Sequence, residues 1–189
     1  MKRTFPSLSH IHFILLLIVI GLMCFGNAIQ HPFVHDDKVF ILNNPYISDF
    51  NLKNIFLQTS ETNKLYPLAN TYYRPFLNII YRWQYQLMGF NAHGYHLFNI
   101  ILHILNALIV YLLMFRLSLG KKGWSFVIAL FFLVHPVQSE AVACVAGISN
   151  LMFAYFFLLA LYFYVCSYDF PGFKSLYVYF IGLICFMLA

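Results

Sequence analysis

Charge is nearly absent from three long stretches of this chain. Residues 8–29, 95–115 and 124–165 hold one Asp, Glu, Lys or Arg among them, Glu140. A soluble domain needs polar side chains to cover its surface, typically with about 25% of its residues charged. Here 9% are charged and 62% are apolar. Runs of about 20 apolar residues are what a helix needs to cross a hydrocarbon core about 30 Å thick. Backbone in lipid must also satisfy its own N–H and C=O groups, which favours helices. The expected fold class is therefore all-α, a polytopic integral membrane protein with about five spans and a large structured first outer loop. A soluble enzyme, a disordered tail and a disulfide scaffold are excluded.

The organisation follows from where polarity returns. Residues 1–29 read as a first span: the apolar run exceeds a signal peptide's h-region and no A-x-A site closes it. Residues 30–93 carry Asp36, Asp37, Asp49 and Glu61 with several Lys and Arg, and form an outer loop. Its amphipathic pieces, Leu52–Leu57 and 76–88, read as short helices at the bilayer surface. Residues 94–116 form the second span. Residues 123–167 form a third and fourth, the fourth opening near Glu140, joined by the turn His135-Pro136-Val137-Gln138-Ser139-Glu140. Residues 175–189 begin a fifth span, expected to be truncated.

The net charge of +5 is dispersed and points to membrane topology, with no nucleic-acid partner. Lys2, Arg3, Arg116, Lys121, Lys122 and Lys174 fall on one side, which places the N-terminus in the cytoplasm. Cys24, Cys144, Cys166 and Cys185 lie in apolar stretches without a CxxC pair, so they read as small hydrophobes.

Four places could carry chemistry. His35-Asp36-Asp37-Lys38 puts two carboxylates just beyond the first span. One could act as a general base towards an acceptor hydroxyl, help to bind a metal, or cap a helix. Glu140, alone among apolar residues, could face a cavity or simply favour a helix N-terminus. His96, Asn99, His103 and Asn106 fall within about 80° of one helix face. They read as interhelical hydrogen bonding, with His96, nearest the outer surface, placed to touch a ligand. Arg74 in Thr71-Tyr72-Tyr73-Arg74-Pro75 suits either phosphate recognition or snorkelling to head groups. Carboxylates and a basic residue at one membrane face fit chemistry on a lipid-linked phosphate.

The order of motifs adds a resemblance. Phe33-Val34-His35-Asp36-Asp37 is followed by Asn43-Asn44-Pro45-Tyr46-Ile47, then by Tyr73-Arg74-Pro75-Phe76. Next come Gly94-Tyr95-His96-Leu97-Phe98-Asn99-Ile100-Ile101-Leu102-His103 and His135-Pro136-Val137-Gln138-Ser139-Glu140-Ala141-Val142. Over about residues 10–165 this resembles the N-terminal membrane region of the transmembrane and tetratricopeptide-repeat (TMTC) O-mannosyltransferases. Their bacterial relatives share the pattern, and all resemble GT-C glycosyltransferases. The resemblance implies inverting transfer of a sugar, mannose in the animal family, from a polyprenyl- or dolichyl-phosphate carrier. The acceptor would be a protein Ser or Thr, or another hydroxyl. No cofactor or metal is implied. The implied catalytic base maps onto Asp36 or Asp37, with Asp36 slightly preferred. Glu140 and His135 would line the same cavity, and Arg74 would meet the carrier phosphate. The candidate catalytic set is thus Asp36, Asp37 and Glu140, with His35, Arg74, His96 and His135 as candidate substrate-binding residues. Where the family usually shows Gly-Arg-x-Asp after the turn, this chain reads Gly147-Ile148-Ser149-Asn150. The alternative is a non-catalytic membrane module binding lipid-linked sugar or partner helices, or part of a transporter. A bacterial inner membrane is favoured over the endoplasmic reticulum.

Overall fold

The computed structural model describes residues 9–34, 36–44, 47, 52–57, 75–169 and 171–188. These residues are helical or lie in turns, with no strand among them. The helices are α1 (His10–Phe25), α2 (Leu52–Leu57), α3 (Pro75–Met88), α4 (Ala92–Leu117), α5 (Lys122–Val134), α6 (Ser139–Ala143), α7 (Ile148–Ser167) and α8 (Phe173–Leu188). Three stretches are long and apolar enough to cross a membrane: His10–Gln30, Ala92–Leu117 and Val145–Ser167. A fourth is a broken pair, Lys122–Val134 with Pro136–Ala143, bent by 47°. The protein is an all-α integral membrane protein. Of the five expected spans, the last corresponds to α8, whose 16 residues place it among the shorter apolar helices.

One helix organises the rest. In α4, 56% of the span is buried, against 22% and 17% in the two other unbroken spans. It packs against α1, α5 and α7, while α8 lies outside against α7. Apolar closeness at the α1 seam depends on Gly21, where an added Cβ would stand 2.7 Å from the Ile104 side chain. The core joins Leu17 of α1 to Ile100, Ile104 and Ala107 of α4, Leu133 of α5, and Ile148 and Leu151 of α7.

The polar stripe of α4 is wholly interior: His96, Asn99, His103 and Asn106 are all fully buried. Three of the four donate to backbone carbonyls of the following helices. The Asn99 amide reaches the carbonyls of Cys144 (2.9 Å) and Val145 (3.3 Å). His103 Nε2 meets the Leu133 carbonyl at 3.0 Å, and the Asn106 amide meets that of Leu151 at 3.0 Å. The stripe is thus the interhelical hydrogen-bonding ladder expected of polar side chains in lipid.

The reason such donors are needed lies in the α5–α7 segment. Pro136 brings no N–H, so the end of α5 loses a backbone donor. The next N–H, that of Val137, is taken by His135 Nδ1 at 3.2 Å. The Leu133 carbonyl therefore meets His103 where a continued helix would have supplied Val137. The fourth span does not open at Glu140. A second break at Cys144 separates α6 from α7, and Glu140 belongs to the short helix before it.

Two poles result. At one, the start of α1 meets the ends of α4 and α7. His10 Nδ1 bonds the Tyr111 hydroxyl at 2.8 Å, and Arg116 pairs with Asp169. At the other, the ring of His93 bonds the carbonyl of Ile29, stapling the end of α1 to the start of α4.

Candidate active site

The chain leaves α1 through a 3-10 turn, Gly26–Gln30, is extended at His31 and continues without regular structure to Val34. There it turns helical. The N–H of Asp37 bonds the Val34 carbonyl at 2.9 Å, and Asp37 Oδ2 accepts the N–H of Val34 at 3.1 Å. This reciprocal pair satisfies a helix's first orphan donor as a capping box does. A π-type turn, Lys38–Leu42, follows.

The two adjacent acids meet opposite surroundings. Asp36 is exposed. Asp37 is fully buried, and its Oδ1 accepts the N–H of Ala146 at 2.7 Å and the thiol of Cys144 at 3.3 Å. Burial, and then the nearby Asp37 carboxylate, push the Cys144 thiol up to about 11. It therefore stays protonated at neutral pH and serves as a donor.

His96 lies one helical turn before Asn99, whose amide reaches the Cys144 carbonyl. Neither ring nitrogen makes a hydrogen bond of normal geometry. His96 is in the interior, not on a face open to a ligand.

Glu140 is exposed in the first turn of α6, where the helix dipole favours a negative charge. Its carbonyl accepts the N–H of Cys144 at 3.2 Å, so it stands one turn from the residue that touches Asp37. The structure therefore brings Asp37, His96 and the Glu140 turn to one pole. His135 is half-buried: its Nδ1 caps Val137, and its ring meets Phe131 edge-on at 5.1 Å. The imidazole is occupied in ending α5 and opening the turn. His35 and Arg74 lie outside the described residues.

Two residues matter here more than their sequence setting suggests. Cys144, read as a small hydrophobe, binds Asp37 through its thiol. Gly147 closes the break so tightly that an added Cβ would lie 2.3 Å from the Ala141 carbonyl oxygen. Nothing in the local sequence announces either contact, because one joins residues 107 apart and the other depends on the helix break at Cys144. Ile148 is fully buried in the core, and Asn150 is exposed. Among the described residues, no three His, Cys, Asp or Glu side chains cluster as metal ligands would.

Comparison with known proteins bears on this pole. The chain is 33% identical over 159 residues to the human protein O-mannosyl-transferase TMTC1. The chain is a relative of the TMTC-family protein O-mannosyl-transferases. Mouse TMTC4 is 33% identical over 171 residues, and the Caenorhabditis elegans protein O-mannosyl-transferase F38B6.6 is 31% identical over 165. The matches cover 78% to 82% of this chain, but only 17% of human TMTC1 and 23% of the other two TMTC relatives. No family model and no solved structure matches.

Proposed function

We propose that the chain is part of a membrane glycosyltransferase that moves mannose from a polyprenyl-phosphate carrier to a hydroxyl of a protein Ser or Thr. The observation that carries the reading is the exposed carboxylate of Asp36, one residue from the buried Asp37, in a relative of O-mannosyl-transferases. The chain spans 17% of human TMTC1 and 23% of mouse TMTC4.

In this mechanism Asp36 takes the proton of the acceptor hydroxyl. The oxygen attacks the anomeric carbon as the bond from that carbon to the phosphate oxygen breaks. Polyprenyl phosphate leaves with the electron pair, and the sugar inverts in a single displacement. Glu140, exposed one turn from Cys144, orients the acceptor. Arg74 and His35 are assigned to the carrier phosphate and the sugar. The outer pole faces away from the cytoplasm, with the N-terminus inside. The membrane is that of bacteria or of the endoplasmic reticulum.

The test is transfer from radiolabelled polyprenyl-phosphate-mannose by the full-length protein in lipid, with and without Asp36→Asn. Loss of about a hundredfold or more in kcat is expected, the scale of removing a general base. Undiminished transfer by the variant overturns the assignment of the base. Carrier binding with no turnover by the unaltered protein favours a binding module.

A further inference from the structure

Of the four described acids, Asp36, Asp37, Glu140 and Asp169, only Asp37 is buried. A carboxylate out of water is costly unless it is fully hydrogen-bonded. Asp37 has three donors, and two of them lie across the molecule, 107 and 109 residues away in sequence. The N–H of Ala146 is available because it sits in the first residues of a 3-10 turn, where amides lack partners behind them. Two residues of the same break, Cys144 and Val145, are also held through their carbonyls by the Asn99 amide.

The break at 144–146 is thus gripped through opposite groups. A carboxylate takes its N–H and S–H, and an amide gives to its C=O. We infer that Asp37 and Asn99 are positioning residues, a two-sided clamp that fixes the break against the start of the first loop and thereby sets the exposed Asp36. The inference rests on the transferase reading for what the clamp serves, but the clamp itself is measurable without transfer.

Two readouts on the full-length protein in lipid separate the possibilities. One is kcat and KM for mannose transfer. The other is the rate at which N-ethylmaleimide alkylates Cys144 when the other cysteines are replaced. Asp37→Asn keeps an oxygen for Ala146 and the thiol. Its kcat stays within about tenfold, the scale of one weakened hydrogen bond, and its labelling rate is the reference for losing the charge that raises the thiol. Asp37→Ala removes all three acceptor contacts. Its kcat falls by about a hundredfold with KM little altered, and Cys144 labels at least about tenfold faster than in Asp37→Asn. Asn99→Leu also speeds labelling. Asp36→Asn abolishes transfer and leaves labelling unchanged.

Labelling of Cys144 no faster in Asp37→Ala than in Asp37→Asn overturns the clamp, whatever transfer does. Equal inactivity of Asp37→Asn and Asp37→Ala makes Asp37 a reacting group and also overturns it. Labelling as expected in a protein that transfers nothing leaves the clamp standing and removes the transferase reading alone.

Discussion

Asp36 and Asp37 are neighbours in sequence, yet one faces solvent and the other is sealed under a helix break. A helical turn rotates successive side chains by about 100°, so adjacent residues need not share an environment. The pair could be seen in the sequence as a possible base, a possible cap, or both. Which acid did which depended on where Ala146 and Cys144 came to lie, and spacing along the chain carries no such information. Gly147 makes the same point through volume. Its φ of −63° is open to any residue, so only the Ala141 backbone excludes a side chain. Gly147→Ala is expected to destabilise the protein by at least about 2 kcal/mol, because backbone must move to admit the methyl. Thermal unfolding in detergent measures this, and an unchanged Tm would mean that the break relaxes freely.

At the scale of elements, the α4 stripe was legible because a period of 3.6 residues in polar side chains survives any detail of packing. Its targets were not legible. Pro136 marks the end of α5, but nothing comparable marks the second break at Cys144, so a fourth span opening at Glu140 was the natural expectation. The rungs are also unequal. The Leu133 carbonyl depends on His103, since Pro136 and the capped Val137 withdraw its ordinary donors. The Leu151 carbonyl lies within α7, where the helix supplies its own donor. His103→Leu should therefore cost about 1–2 kcal/mol, and Asn106→Leu about 0.5 kcal/mol, nearer the average for hydrogen bonds between helices in membranes. Chemical unfolding of the two variants in mixed micelles checks the order. Equal losses would show that α5 finds another donor.

For the molecule as a whole, the fold class was fixed by the loss of charge, which leaves a chain no soluble alternative. The count of spans was less secure, because α5 and α6 cross together only as a bent pair and α8 is short. Orientation rests on Lys121 and Lys122 at the pole where Arg116 meets Asp169. In sealed vesicles that present the non-cytoplasmic face, a single cysteine at Val137→Cys should react with an impermeant maleimide, and one at Lys121→Cys only after the vesicles are opened. The reverse pattern would put Asp36 in the cytoplasm and end the proposed chemistry.

The ladder on α4 also orders events in time. The carbonyls of Leu133, Cys144, Val145 and Leu151 each accept a hydrogen bond from a helix synthesised before them. A chain emerging from the ribosome can thus have Asn99, His103 and Asn106 in the bilayer before the kinked segment arrives. That segment enters beside waiting donors, and its broken backbone need not stand bare in lipid while the rest of the protein is made.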